Sequence, residues 1–216
     1  GTLLANANGD GDRDLLGYSI AMAPSTDGKD YGCLAAGAPE LAFPGQPAGT
    51  GYVRLYRYLT GQITGLLPLA TWQSYSAGSK YGYRLEAAGD IDDDGGTDFL
   101  IAAPGSATAE AVVELRSGRT SQVLWQADDP ASGDLFGGGL AVANLIGGAT
   151  RSAIIGAPLA DGQCVDSGEW HCRKMQVRPE ANKLMITEVA AAGGGTTVAA
   201  IELTNCSASA IDLSDW

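Results

Sequence analysis

The chain has 216 residues, 25 acidic against 13 basic, and a formal charge of −12. That balance argues against nucleic-acid or anionic-membrane binding, both of which need positive patches. No run of 18 apolar residues exists, so no membrane insertion is expected, while the length suffices for one or two domains with a sizeable core.

Thirty-one glycines, with Asp and Ser, punctuate short apolar runs of five to eight residues. No stretch sustains a helical period, so the pattern is that of many short strands joined by tight turns, an all-β chain. In chain order, "NANGDGDRD" (6–14) comes first, with oxygen side chains at Asn6, Asn8, Asp10 and Asp14 and Gly11 at the turn. It reads as the entry turn of the first unit or the remnant of a preceding one, with a cation loop as the alternative. "LLGYSIAMAPSTDGKDYGCLAAGAPE" (15–40) follows, then strand candidates at 51–59 and 65–72. "KYGYRLEAAGDIDDDGGTDFLIAAPGS" (80–106) leads to candidates at 111–118 and 121–127, and "LFGGGLAVANLIGGATRSAIIGAPLA" (135–160) comes third. Each of the three opens on an apolar or aromatic residue before glycine and closes on Gly/Ala-Ala-Pro about twenty residues later. Such a repeat means stacked supersecondary units, here of four short antiparallel strands each, the content of a propeller blade.

The middle unit holds five aspartates in nine positions, directly before an apolar strand. Asp90, Asp92 and Asp94 fall at loop positions 1, 3 and 5, Gly95 at 6, Gly96 at 7 and Asp98 at 9. Alternate residues thus aim oxygens at one centre, with Gly96 offering its carbonyl. Oxygen ligands without His or Cys suit a hard, loosely caged cation, Ca²⁺ ahead of Mg²⁺. Position 12 is Ile101, which argues against a helix-flanked EF-hand. The other reading is an acidic turn between strands, with Asp93 pointing to solvent in either case. Cys164 and Cys172 bracket "VDSGEWH", and a disulfide between them is preferred over a zinc site that would have only His171 to add. Such a bridge implies an oxidising compartment. Cys33 and Cys206 have no assigned partner.

The paired F-G and G-A-P marks with a calcium loop between them resemble FG-GAP repeats, the blades of integrin α-type β-propellers and of many secreted bacterial proteins. The resemblance covers roughly residues 10–160. It implies that Asp90, Asp92, Asp94 and Asp98 donate side-chain oxygens and Gly96 a carbonyl to one Ca²⁺. The other two units depart from the pattern. Ser25, Asp27, Lys29 and Cys33 stand at the ligand positions of the first, and Asn144, Ile146, Gly148 and Ser152 at those of the third. One calcium is therefore expected, not three. After Pro179, Glu180 and Asn182, a linker composition, "ITEV", "AIELTN" and "DLSDW" resemble the start of a lamin-tail domain, an immunoglobulin-like β-sandwich. Ala200 and Cys206 depart from that pattern.

The expected organisation is a partial β-propeller over 1–178, with units near 10–75, 76–130 and 131–178, followed by a partial β-sandwich over 179–216. A propeller closes with at least four blades, so a longer parent protein is expected. No Ser stands in a G-x-S-x-G setting, and carboxylates spaced to converge on an ion are not free acids for glycoside hydrolysis. The expectation is a non-catalytic, extracellular, calcium-binding scaffold that meets a protein or carbohydrate ligand. The alternative is an accessory region of a larger secreted hydrolase.

Overall fold

In a computed structural model, the described residues are 2–3, 5–23, 32–41, 49–59, 65–74, 76–106, 109–129, 133–145, 151–161, 164–175, 184–191 and 198–205. They contain thirteen strands and no helix. The chain divides into two compact units, Gly1–Gln176 and Val177–Trp216.

The first unit holds three antiparallel sheets. Strands β1 (Ser19–Ala23), β2 (Cys33–Ala38), β3 (Tyr52–Leu59) and β4 (Gly65–Gln73) form the first, in chain order. Strands β5 (Arg84–Gly89), β6 (Asp98–Ala103), β7 (Ala111–Arg116) and β8 (Val123–Asp129) form the second in the same order. Strands β9 (Gly139–Ala143), β10 (Ser152–Ala157) and β11 (Glu169–Lys174) form the third, with β10 central. Among its described residues the second unit holds an antiparallel pair, β12 (Leu184–Ala191) and β13 (Val198–Asn205). The linker residues Pro179, Glu180 and Asn182, and Cys206, lie outside the described residues.

The all-β expectation holds, and the repeat is visible in the backbone. Leu15, Lys80 and Leu135 all take left-handed φ (62°, 58° and 57°), and two residues later Gly17, Gly82 and Gly137 do so at 94°, 85° and 86°. The amides of those glycines donate to the carbonyls of Gly37, Ala102 and Gly156, at 2.9, 3.1 and 3.0 Å. One tight turn thus feeds the first strand of each sheet and clamps it to the second. Ala-rich strands allow this close approach. A Cβ on Gly137 would lie 2.7 Å from that of Ala102.

Each Gly/Ala-Ala-Pro strand is flanked on both sides and apolar. Phe99, Leu100 and Ile101 of β6 are fully buried, each stabilising the fold by about 1.5–3 kcal/mol. β1 packs beside β5 and β5 beside β9. Between the first two sheets Val53, Leu55 and Trp72 meet Tyr81, Leu85 and Phe99 in one cluster, with the Trp72 and Phe99 rings 6.2 Å apart.

The expected Cys164–Cys172 disulfide is not formed, and both cysteines are free thiols. The Ser167 amide turns back to the Cys164 carbonyl and the Gly168 amide to Ala160, after which β11 runs straight with Cys172 opposite Ile154. Four strand residues carry Cys172 about 13 Å along the chain from Gly168, away from the turn that holds Cys164. His171 instead meets Glu169 at 2.8 Å and the Phe136 ring edge-on.

Candidate metal centre

Residues 90–97 join β5 to β6 within one sheet. The loop is built by its own carboxylates. Asp90 accepts from the amides of Asp94 (3.1 Å) and Gly95 (2.9 Å), and Asp92 from that of Asp94 (3.2 Å). Gly95, with φ +83°, reverses the chain at the point where a glycine was expected. Asp93 is exposed and left-handed (φ 58°), a conformation that Asp tolerates better than most residues. Its side chain points to solvent, as expected.

Three of the four expected side-chain ligands converge. Asp90, Asp92 and Asp98 each bring a carboxylate oxygen within 4.8 Å of the others. Asp94 does not join them. Its Oδ1 accepts from the Gly96 amide at 2.7 Å and its Oδ2 from the Ser117 hydroxyl at 3.2 Å. The Arg119 guanidinium donates to the Asp94 carbonyl. Ser117 and Arg119 belong to the turn between β7 and β8, a support that the loop's own spacing does not reveal. Gly96 is buried in the loop.

Asp98 is the unusual member. It is fully buried at the head of β6. Its Oδ2 accepts one hydrogen bond, from the Ile91 amide at 2.8 Å, and its buried Oδ1 has no partner. Burial first, then the negative charges of Asp92, Asp94 and Asp90, push its pKa up to about 7 against the single lowering bond from Ile91. A buried carboxylate with an orphaned oxygen is costly unless something neutralises it. The repeat shows that burial here is a property of the fold. Cys33 and Ser152 head β2 and β10 at the equivalent position, and both are buried. A thiol and a hydroxyl tolerate such a site, but a carboxylate among carboxylates must be neutralised there, by a proton or by a cation.

The 6–14 loop behaves differently. The Asp14 carboxylate, also buried, accepts from the amides of Asp10 (2.6 Å), Gly11 (3.2 Å) and Leu16 (3.2 Å) and from the Tyr52 hydroxyl (2.6 Å). Burial acts to raise its pKa, but these bonds together hold it below the usual carboxylate value. Asp10 pairs with Arg54. Asp14 thus anchors the chain just before β1, its carboxylate served by protein donors. At the equivalent positions elsewhere, the expected ligand positions Ser25, Asp27, Lys29, Ile146 and Gly148 lie outside the described residues.

The fold and site thus define an all-β repeat chain with one acidic interstrand loop at its second sheet. No protein-family model matches the chain, and no curated protein matches it in sequence.

Proposed function

We propose that this chain is a non-catalytic, extracellular calcium-binding repeat module serving as an adhesion or ligand-binding scaffold. On this reading its three sheets are consecutive FG-GAP-type blades of a β-propeller. The β12–β13 pair is the opening of a lamin-tail-like immunoglobulin sandwich. The observation that carries the calcium assignment is the buried, unpartnered Asp98 oxygen within a convergent trio of carboxylates. Asp90, Asp92 and Asp98 would hold the ion, and an oxygen-only donor set fits Ca²⁺. In the FG-GAP resemblance Asp94 and the Gly96 carbonyl belong to the same set. Asp94 is held in the loop by Ser117, and the calcium response of Asp94→Ala measures its contribution. Bound calcium would neutralise the loop and hold the turn that feeds β6, a structural role with no reaction step.

A cavity of about 510 Å³ beside the second sheet, lined among others by Ser79, Tyr81, Glu114, Arg116 and Gln126, supports the ligand-binding part. Glu114 is already engaged by Arg116 at 2.8 Å and by the Tyr81 hydroxyl. Ser79 and Gln126 are likewise bonded within the protein, to the Thr50 carbonyl and to Asp128, and a polar lining with the Glu114 charge already paired suits an uncharged, hydroxyl-rich ligand such as a carbohydrate.

The deciding experiment is thermal unfolding with calcium titrated through the millimolar range and magnesium as control, paired with titration calorimetry. A melting temperature that rises with calcium and rises less with magnesium is expected. No shift and no heat would leave the loop an acidic turn.

A further inference from the structure

The two junctions between sheets are assembled from the same parts. At the first, the Gly82 turn sits on Gly37 and Val53. A Cβ on Gly82 would come 3.0 Å from Val53 Cγ2 and 3.1 Å from Gly37 Cα, and the Ser19 hydroxyl donates to the Gly82 carbonyl at 2.7 Å. At the second, the Gly137 turn sits on Ala102 and Val113, 3.1 Å from Val113 Cγ2 by the same measure, and Arg84 Nε donates to the Gly138 carbonyl at 3.1 Å. Val53 and Val113 occupy one register position, opposite Gly37 and Ala102, and both are fully buried.

The third sheet presents this acceptor again, with no such turn seated on it among the described residues. Gly156 is the counterpart of Gly37 and Ala102 by the hydrogen bond it receives from Gly137. Trp170 stands opposite Gly156, where the two valines stand, and is 69% exposed. Gly139, the counterpart of Ser19 and Arg84, carries no side chain. With Gly156 it floors an open cavity of about 500 Å³ beside Trp170.

The first sheet carries the matching donor half. Gly82 and Gly137 are buried under their neighbours, but Gly17 is exposed. Ile20 and Met22 are 56% and 73% exposed, whereas their counterparts Leu85 and Ala87 pack in the cluster between the first two sheets.

We propose that these two free faces dock on each other: the Leu16–Gly17 turn and β1 of one copy seat on the Gly156–Trp170 face of a second copy, head to tail. The occupant is a second copy because the chain itself carries both halves of a junction it already makes twice. The contact is heterologous, with each copy offering a different face at each end. Burying these exposed apolar side chains supplies the driving force. This inference rests on the sheet repeat and not on calcium binding.

The test is sedimentation velocity of the full 216-residue chain across micromolar concentrations, with Met22→Asp and Trp170→Asp as variants. Both residues are exposed, so unchanged unfolding curves will show that the variants fold. The wild-type mass should rise with concentration, and each variant alone should stay monomeric. An equimolar mixture of the two variants should form a heterodimer of twice the monomer mass, since each retains the face the other lacks. A wild-type chain that stays monomeric would overturn the proposal, because some other partner must then cover these faces. Association that survives either substitution alone, or a mixture that stays monomeric, would overturn it as well.

Discussion

The two acidic loops of this molecule bury Asp14 in one and Asp92 and Asp98 in the other, and Asp14 and Asp98 are accommodated in opposite ways. Asp14 takes four protein donors, three amides and the Tyr52 hydroxyl, and its pKa falls. Asp98 takes one amide, keeps an orphaned oxygen among three other carboxylates, and its pKa rises to about 7. Both loops are rich in Asp and Gly, so composition does not separate them. Counting donors does. A carboxylate whose lone pairs are filled by the protein is a structural anchor, and one left unfilled in a cluster of its own charge is a candidate cation site.

The largest contrast should come from removing the anchor. Asp14→Ala strands three backbone amides and a buried tyrosine hydroxyl, and should cost about 3 kcal/mol in denaturant unfolding. The loss should be the same with and without calcium. A calcium-dependent loss would erase the distinction between the loops.

Acidity should separate them next. Without calcium, folded Asp98 holds a proton to about pH 7, whereas the unfolded chain releases it near the ordinary value of 3.8. The folded form binds more protons between those values. Stability therefore falls as pH rises from about 4 to about 7, with a slope approaching 1.4 kcal/mol per pH unit at most. Asp14, with its lowered pKa, works the other way: its stabilisation is present above 3.8 and is lost as pH drops through the folded value. Unfolding series at several pH values, with chelator and with calcium, will show whether calcium flattens the neutral limb while leaving the acid limb intact.

Calcium itself should stabilise by about 0.4–1.4 kcal/mol at about 1 mM, given an affinity on the order of 10⁻⁴–10⁻³ M, the range of extracellular calcium modules. Asp98→Asn should abolish that gain and leave the calcium-free protein as stable as wild type or more so, since a buried charge has gone. Asp94→Ala sharpens the site. Full loss of the calcium response makes Asp94 a ligand, and partial loss makes it a support of the loop through Ser117.

The smallest effect belongs to Asp93→Asn. The side chain is exposed and Asn accepts a left-handed φ, so stability should move by no more than about 0.5 kcal/mol. Its calcium titration should overlay wild type, and a lost response would put Asp93 inside the site.

Much of the architecture was legible in the chain. The strand candidates at 51–59 and 65–72 became β3 and β4, those at 111–118 and 121–127 became β7 and β8, and β12 and β13 lie where the tail's apolar runs stand. Short apolar runs between glycines leave a strand few alternatives. The Cys164–Cys172 pairing failed because closeness in sequence says nothing about direction, and β11 carries Cys172 away from the turn.

The sequence by itself determined the all-β class, the threefold spacing of turns and central strands, and which residues crowd charge into the 90–98 loop. These follow from local chemistry, since glycine permits the left-handed turn and alternate aspartates share one side of a loop. Only the tertiary structure decided that Tyr52, distant in the chain, fills the need of Asp14 while Asp98 goes without, and that Ser117 claims Asp94. It also decided that Trp170 stands uncovered where two valines are buried. Each depends on which donors and surfaces other strands bring to a residue, and that is set by packing between sheets.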